Sequence, residues 1–196
     1  MPADIADPLL HVLRIRGRAT PESLAAALDS TPERVGAALL ILESTGLAEN
    51  TGKPRLGWKI TPDGTASAEK RMTQISPSAQ ATVADRYETF RTLNDELKQL
   101  CANWQSRAET QGPADFVAPL SVVDKEVQQL LAEITPGAPH FAEYSARFTR
   151  ALDQFASGSD SHLTGVLVDS YHNIWFECHE CFYITLGRSR HAEEAP

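Results

Sequence analysis

The chain has 196 residues, of which 42% are hydrophobic and 22% are charged, and its formal net charge at pH 7 is −8. This composition is typical of a soluble globular protein, and the length suits one large or two small domains. The sequence has no long apolar run and no basic region followed by an apolar one at its start, so we expect neither a membrane span nor a secretory signal. We therefore expect a cytoplasmic protein.

The negative charge is unevenly distributed along the chain. Residues 1–75 carry 9 Lys and Arg against 9 Asp and Glu, a net charge of 0, whereas residues 76–196 carry 9 against 17, a net charge of −8. A neutral N-terminal half can still bind nucleic acid where its basic side chains are grouped together. Non-specific affinity should then be modest and sensitive to salt.

Three short helices are predicted in the first 46 residues. Asp7, Thr20 and Thr31 are the predicted N-caps, and a proline follows each of them at the first helical position. Apolar residues at three- and four-residue steps give each helix one buried face. Gly17 and Gly46 are placed to end the first and third helices, because glycine readily adopts the left-handed conformation found after a helix.

The second and third helices are separated by a turn of three or four residues, which is the pattern of a helix-turn-helix. In that arrangement the start of the second helix of the pair meets base edges in the major groove. Arg34 is the candidate for a guanine or phosphate contact, since its planar guanidinium can bind either in bidentate fashion. The predicted contacts of this helix are Thr31, Glu33, Arg34 and Ala37.

Two short strands, residues 47–49 and 58–60, are predicted on either side of a polar loop. The loop carries Lys53 and Arg55, and Lys59 lies in the second strand. A basic tip of this kind suits contact with phosphates or with the minor groove. Thr61 and Pro62 then predict the start of a further helix.

The order Leu-Glu-Ser-Thr-Gly-Leu, a polar tip, and Trp-Lys-Ile-Thr-Pro-Asp-Gly resembles the winged helix domains of MarR-type bacterial regulators. The resemblance covers about residues 7–72. It implies a winged helix-turn-helix that binds double-stranded DNA as a homodimer. MarR-type proteins have helices on both sides of the winged domain, whereas almost all additional residues here lie on the C-terminal side. The alternative is a winged helix used for protein contacts.

The C-terminal part is predicted to be an all-α bundle of about four helices. The predicted helices span residues 76–108, 120–134, 140–155 and 163 to about 190, and each has an apolar stripe at three- and four-residue steps. We therefore predict a mainly α protein with a small β-wing. Residues 1–72 form its DNA-binding domain, and residues 76–194 form an all-α dimerisation domain that could also bind an effector.

The last predicted helix is apolar on more than one side. Its core face is Leu163, Leu167, Tyr171, Ile174, Trp175, Cys178, Cys181 and Phe182, and its second stripe is His172, Phe176, His179 and Tyr183. A helix that is apolar on two sides is covered by its own bundle and by a ligand or a second subunit. The residues predicted to line an effector pocket or a dimer interface are Trp104, Tyr171, His172, Trp175, Phe176, His179 and Tyr183.

The composition of this helix does not favour a metal site or a redox pair. His172 and His179 lie two turns apart, about 10 Å by the rise per residue, so they cannot chelate one ion together. Cys178 and Cys181 lack an exposed helix N-terminus to lower a thiol pKa, and we predict inert buried thiols. The sequence shows no nucleophile–base–acid set, phosphate loop or complete metal motif, so we predict neither an enzyme nor a cofactor.

A second resemblance concerns the helical part. The runs at residues 97–105 and 168–180 are similar to segments of uncharacterised actinobacterial helical domains, which occur behind winged helices and on some phosphoenolpyruvate-utilising enzymes. This resemblance spans most of residues 76–194 and implies an all-α module with no known ligand. The expectation is a dimeric bacterial transcriptional regulator with a small-molecule effector as a further partner. The alternative is an interaction module whose acidic bundle binds a partner protein.

Overall fold

The computed structural model describes residues 5–188, and the chain divides into two compact units, Met1–Gln74 and Ile75–Pro196. Within residues 5–188 the secondary structure is mainly helical, with one small three-stranded antiparallel sheet. None of the helices described has both the length and the apolar character needed to cross a membrane. The predictions for residues 1–4 and for the chain beyond residue 188 lie outside the described residues.

The first unit contains four helices and three short strands in its described part. These are α1 (Ala6–Arg16), β1 (Arg18–Ala19), α2 (Pro21–Ala27), α3 (Pro32–Ser44), β2 (Ala48–Asn50), β3 (Trp58–Ile60) and α4 (Pro62–Thr73). The strand order is β1-β3-β2, with both pairings antiparallel. β1 is absent from the sequence-based prediction, because two residues are too few to show the alternation that marks a strand.

Three of these helices begin where the cap-then-proline signal places them. The hydroxyl oxygens of Thr20, Thr31 and Thr61 accept hydrogen bonds from the backbone N–H three residues later, at 3.3, 3.3 and 3.0 Å. A proline occupies the first helical turn in each case. The caps satisfy backbone donors that have no partner inside the helix.

The predicted start of the first helix is wrong by two residues. α1 begins at Ala6, its N-cap is Ile5, and no side chain caps it. Asp7 therefore lies inside the first turn, where its carboxylate pairs with Arg71. A negative charge at this position is favoured by the partial positive charge of the helix N-terminus, so Asp7 stabilises the same helix end without capping it.

A hydrophobic core lies between the helices and the sheet of the first unit. Helix α1 packs against α3 and α4, and α2 packs against α3. The large apolar side chains of this core include Leu9, Leu10, Leu13, Leu24, Val35, Leu39, Leu42 and Trp58. They come from the apolar faces that the sequence predicts, so the core confirms the helical periodicity of this part of the chain.

Gly64 and Gly36 are both helical glycines, but their surroundings differ. A Cβ atom on Gly64 would overlap the carbonyl oxygen of Leu47, whereas a Cβ atom on Gly36 would have nothing within 4 Å. We expect Gly64→Ala to lower the free energy of unfolding by about 1–3 kcal/mol. The matched control Gly36→Ala should raise it by about 0.5–1 kcal/mol, since alanine is the better helix former. Urea unfolding measures both, and stabilisation by Gly64→Ala would contradict this packing.

The regular secondary structure of the second unit is all helical in its described part. Its elements are α5 (Pro77–Gln105), α6 (Ala114–Ile134), a 3-10 turn (Pro139–Phe141), α7 (Ala142–Ala156), α8 (Ser161–Thr164) and α9 (Tyr171–Thr185). Helix α6 packs on α5 and α7, and α9 packs on α5, α7 and α8. Fully buried aromatic side chains fill the space between them: Tyr87, Phe90, Phe141, Tyr144, Phe148, Phe155, Tyr171 and Phe182.

Helix α6 begins at Ala114 rather than at residue 120, so the predicted loop over residues 109–119 is too long. Pro119 lies inside the helix near its start, where a proline removes one backbone hydrogen bond without ending the helix. The earlier start places Phe116 against Trp104, with the two rings edge-to-face at a centroid distance of 5.2 Å. The burial of Phe116 outweighs the local helix-breaking signal of the proline.

The long last helix predicted from residue 163 is interrupted. Helix α8 ends at Thr164 and α9 begins at Tyr171, with an irregular segment between them. Leu167, predicted on the core face, lies in that segment and is 96% exposed. The assignment of Leu167 to the core is therefore wrong, because the helical spacing on which it depended is not continuous through this position.

Hydrogen bonds from one side chain hold the interruption in place. The side-chain amide of Asn173 donates to the carbonyl oxygens of Gly165 and Val168, at 3.0 and 2.9 Å. The Ser170 hydroxyl oxygen accepts from the backbone N–H of Asn173 at 3.3 Å and caps α9. Side chains of this kind compete with the helix for backbone partners, which is the physical reason that the chain leaves the helix here.

Candidate functional site

The predicted nucleic-acid contacts on α3 are all exposed along its first half. The Thr31 hydroxyl oxygen caps the helix, because it accepts a hydrogen bond from the backbone N–H of Arg34. The pKa of Glu33 is lowered by its own backbone N–H and by the Thr31 side chain, which places its carboxylate at the positive end of the helix. A phosphate at this end would have to displace Glu33, which leaves Arg34 as the exposed cation of the first turn of α3.

The loop between β2 and β3 carries the basic charge of the hairpin. Lys53 and Arg55 are exposed, and neither forms an ion pair within residues 5–188. Lys59 lies opposite Glu49 in the strand register and is ion-paired with it. The carboxylate offsets the charge of Lys59, so the positive charge available to a polyanion is concentrated at Lys53 and Arg55.

The same loop has a defined shape. Gly57 has φ +62°, and a Cβ atom there would overlap the backbone of Ala19. The Thr51 hydroxyl donates to the Gly57 carbonyl oxygen at 2.7 Å, and the backbone N–H of Gly52 donates to the Asn50 side chain at 2.9 Å. These bonds order the loop on both sides of Lys53 and Arg55, so less freedom is lost when the loop binds a partner.

The second half of α3 has a different surface. Leu40 and Ile41 are 60% and 58% exposed, which is unusual for large apolar side chains. Both follow Ala37 on the outward side of the helix. The buried stripe and the first turn of this helix were predicted from the sequence, whereas the exposure of these two residues was not. The outward face of α3 is therefore polar at its start and apolar at its end.

A groove of about 220 Å³ lies between α5 and α9. It is lined by Asn94, Leu97, Lys98, His172, Trp175, Phe176, His179 and Tyr183. The structure thus brings together the whole second stripe of the last predicted helix, and Trp175 from its core face. The side chains that α5 contributes were not predicted, because no sequence signal states which turn of α5 faces α9.

Two hydrogen-bonded rings form the floor of the groove. The Trp175 Nε1–H donates to the Asn94 Oδ1 at 3.1 Å, and the Trp175 ring stacks on Phe90 at a centroid distance of 4.4 Å. The His179 Nε2 lies 3.1 Å from the hydroxyl oxygen of Tyr87. These contacts fix the orientation of both rings before any ligand arrives.

More exposed side chains surround the mouth of the groove. Phe176 is 52% exposed, whereas Tyr183 is buried and its ring stacks on that of His179 at a centroid distance of 4.6 Å. Partial burial lowers the pKa of His172, which favours the neutral imidazole. The Lys98 Nζ lies 3.8 Å from the Asp95 carboxylate, which is an ion pair but exceeds hydrogen-bond distance.

Two predicted members of the pocket lie elsewhere. Trp104 is buried edge-to-face against Phe116 and Phe155, at centroid distances of 5.2 and 5.0 Å. Tyr171 is buried in the core, and its hydroxyl donates to the Asp124 Oδ1 at 3.1 Å. Neither side chain lines the groove. They pack the interior of the unit, which is the ordinary role of aromatic residues at helical spacing.

The three cysteines are free and buried. Burial raises the pKa of the Cys101 thiol to about 11 and the pKa of Cys178 and Cys181 well above the usual value. At neutral pH the thiols are therefore protonated and poorly nucleophilic, as predicted for this helix. Within the described residues, no group of three or more His, Cys, Asp and Glu side chains is placed to hold a metal ion.

A buried ionic cluster was not foreseen from the sequence. Arg147 of α7 is only 1% exposed, and its guanidinium binds both carboxylate oxygens of Asp169 at 2.9 and 2.8 Å and the Glu177 carboxylate at 2.8 Å. Burial alone would lower the pKa of Arg147, but the carboxylates of Glu177 and Asp169 raise it above its ordinary value. The sequence feature that could have indicated this cluster is an arginine on the inward stripe of α7, between Tyr144 and Phe148.

A wider depression of about 880 Å³ lies along α5 and the start of α6. Arg107 is one of its lining residues. Its guanidinium is stacked on the Trp104 ring at 3.5 Å and bonded to Asp160 at 2.9 Å. A ligand would have to compete with both contacts for this cation, which makes the groove between α5 and α9 the better candidate for a binding site.

Comparisons with protein-family models, with curated proteins and with solved structures found no significant match to this chain. The geometry and the charge of the two candidate surfaces are therefore the basis for a proposed function.

Proposed function

We propose that this protein is a DNA-binding transcriptional regulator that acts as a dimer. In this proposal α2 and α3 form a MarR-like helix-turn-helix, and the β2–β3 hairpin is its wing. The proposal is supported by two exposed features of one unit. The first is the capped start of α3, with Arg34. The second is an ordered hairpin loop, in which Lys53 and Arg55 form no ion pair within residues 5–188. β2 packs on α3, so the helix and the hairpin are held together.

The physical basis of binding would be the following. The start of α3 enters the major groove, where Arg34 reaches a guanine edge or a phosphate. The hairpin loop contacts the adjacent backbone through Lys53 and Arg55. Because the N-terminal half has no net positive charge, one copy binds weakly, and useful affinity requires two copies on half-sites about one helical turn apart.

The acidic second unit would hold the two copies together. Its negative charge is repelled by DNA, so it favours complexes in which only the first unit approaches the phosphates. An effector bound to this unit can act only through unequal affinity for the DNA-competent and incompetent arrangements of the dimer.

We expect Arg34→Ala to weaken binding to a specific operator by about 1–3 kcal/mol, since a bidentate contact is lost. The double variant Lys53→Ala with Arg55→Ala should weaken binding to all sequences and reduce the salt dependence by about one unit of slope for each side chain removed. Fluorescence anisotropy with DNA from the region upstream of the protein's own gene, at several salt concentrations, measures both effects. Lys125→Ala, an exposed change in the second unit, is the matched control.

Equal affinity of these variants and the wild type would overturn the assigned roles of the three cations. A pure, folded dimer without any salt-sensitive DNA binding would overturn the proposed function as a whole.

A second candidate function is protein binding through the first unit. The observation that favours it is the exposure of Leu40 and Ile41 at the end of α3. Adjacent large apolar side chains on an outward face are typical of a protein contact surface. If DNA binding is absent, the double variant Leu40→Ser with Ile41→Ser should release a co-purifying protein that the wild type retains.

A further inference from the structure

We infer that the groove between α5 and α9 is a binding site for a small ring-containing molecule with one carboxylate. The inference depends on four properties of the groove: its size, its ring surfaces, the sign of its charge and the fixed orientation of its floor. A role of this ligand as an effector rests on the proposed function, whereas its binding does not.

The size limits the ligand to roughly one ring. The groove has a volume of about 220 Å³. A cavity of about 150 Å³ is sufficient to hold benzene in a protein interior. The groove can therefore hold a single ring with one small substituent, and it is smaller than the usual sites for drug-sized ligands.

The surfaces of the groove suit a flat apolar ring. Trp175 lies in the floor, and Phe176 projects at the mouth with half of its surface exposed. Leu97 and the stacked rings of His179 and Tyr183 complete the apolar lining. An exposed phenylalanine beside a fixed tryptophan is stabilised when a ring packs against both, since apolar surface is removed from water.

The charge of the groove selects an anion. Residues 76–196 carry 17 acidic side chains, yet none of those within the described residues 76–188 lines the groove. Lys98 contributes a positive charge, and its ion pair with Asp95 is too long for a hydrogen bond. Asn94 and His172 add polar groups beside it. A carboxylate can therefore bind the Lys98 ammonium without meeting a carboxylate in the wall of the groove.

The floor is ordered before binding. The Trp175 indole is held by the Asn94 side chain at 3.1 Å and by stacking on Phe90 at 4.4 Å. A ring that is already fixed loses little conformational freedom when a ligand packs on it. This preorganisation distinguishes the groove from a surface depression lined by mobile side chains.

The test uses benzoate as the probe and the full chain labelled with 5-fluorotryptophan. The three tryptophans, Trp58, Trp104 and Trp175, should give three fluorine NMR resonances, each assigned by a Trp→Phe change. We expect benzoate to shift the Trp175 resonance alone, with a dissociation constant on the order of 1 mM, which is usual for so small a ligand. Trp58 lies in the other unit and Trp104 in the core, so both are internal controls.

Variants and a neutral analogue separate the contribution of the charge from that of the ring. Lys98→Ala should weaken benzoate binding about fivefold, the upper end for an exposed ion pair. It should leave benzamide, which has the same ring and no charge, unaffected. Phe176→Ala should weaken both probes, and Lys125→Ala neither.

Three results would each overturn the inference. These are no shift of the Trp175 resonance, benzamide binding as tight as benzoate binding, and benzoate binding unchanged in Lys98→Ala. If Phe176→Ala converts a dimer into a monomer and benzoate does not bind the wild type, the groove is the contact surface for a second copy of the chain. DNA binding is measured separately without benzoate, so its failure would contradict the proposed function and leave this test intact.

Discussion

Replacement of Arg147 by methionine is expected to lower the free energy of unfolding by about 3–5 kcal/mol, the usual cost of removing one partner from a buried ion pair. The variant would leave the carboxylates of Asp169 and Glu177 largely buried without the cation that binds both of them. Methionine occupies a similar volume, so the loss would come from electrostatics rather than from a cavity. Urea unfolding followed by circular dichroism measures the difference.

The matched control is Arg91→Met on the exposed face of α5. Arg91 pairs with Glu88 at 3.1 Å, and both side chains are more than half exposed. This change should alter stability by no more than about 0.5 kcal/mol. Similar effects of the two arginine replacements would show that Arg147 is not held by buried carboxylates in solution.

A conservative variant distinguishes the charge of Arg147 from its shape. Arg147→Lys keeps the positive charge but loses the fork that binds both oxygens of Asp169 and reaches Glu177. We expect a smaller loss of stability than for methionine. The cluster joins α7 to the residues on either side of the first turn of α9, so it also stabilises the wall of the α5–α9 groove.

Acidification is expected to destabilise the protein through His140 by about 3 kcal/mol between pH 6.5 and pH 4, at roughly 1.4 kcal/mol for each unit of pKa difference. Burial lowers the pKa of His140 from 6.5 to about 4. Between these values the unfolded chain takes up a proton that the folded protein excludes, so stability falls as pH falls. The part of the free energy of unfolding that depends on neutral His140 is fully present above pH 6.5 and is lost by pH 4.

The hydrogen bonds of His140 fix its tautomer, whereas burial of the ring excludes a second proton from the folded protein. The Thr185 hydroxyl donates to the Cys181 carbonyl oxygen at 2.8 Å, so the His140 Nε2–H donates to the Thr185 oxygen, also at 2.8 Å. This arrangement fixes the Nε2–H tautomer of the neutral imidazole. A second proton would place an uncompensated charge in a mostly buried site.

The measurement compares the wild type with His140→Gln, which keeps an N–H donor and does not titrate. The difference in the free energy of unfolding between the two proteins should be constant above pH 6.5, should change by about 3 kcal/mol down to pH 4, and should be level below that. Parallel pH profiles would contradict the exclusion of the proton from folded His140.

The starts of α2, α3 and α4 were predictable because their causes lie within a few residues. The hydroxyls of Thr20, Thr31 and Thr61 accept from the N–H three positions later, a distance that the covalent chain largely sets. The apolar faces of the helices were predictable for the same reason, since their spacing follows from 3.6 residues per turn.

Features that depend on residues far apart in the chain were missed or misplaced. The bond between Arg147 and Asp169 spans 22 residues, and the bond between Trp175 and Asn94 spans 81. The interrupted last helix and the early start of α6 also depend on competing side-chain contacts, from Asn173 and Phe116 respectively. Local propensity is a weak guide where such contacts compete with it.

The two candidate surfaces also differ in whether nearby or distant residues build them. The capped start of α3 and the basic hairpin loop can be identified from consecutive residues, because each is built from one short stretch of chain. The groove between α5 and α9 depends on which turns of two distant helices face each other. The periodicity identified the stripe of α9, but the packing of α5 against it supplied Lys98 and Asn94, and the packing of α6 and α7 buried Tyr171. Periodicity specifies one face of one helix, and the burial of apolar surface between helices determines which faces meet.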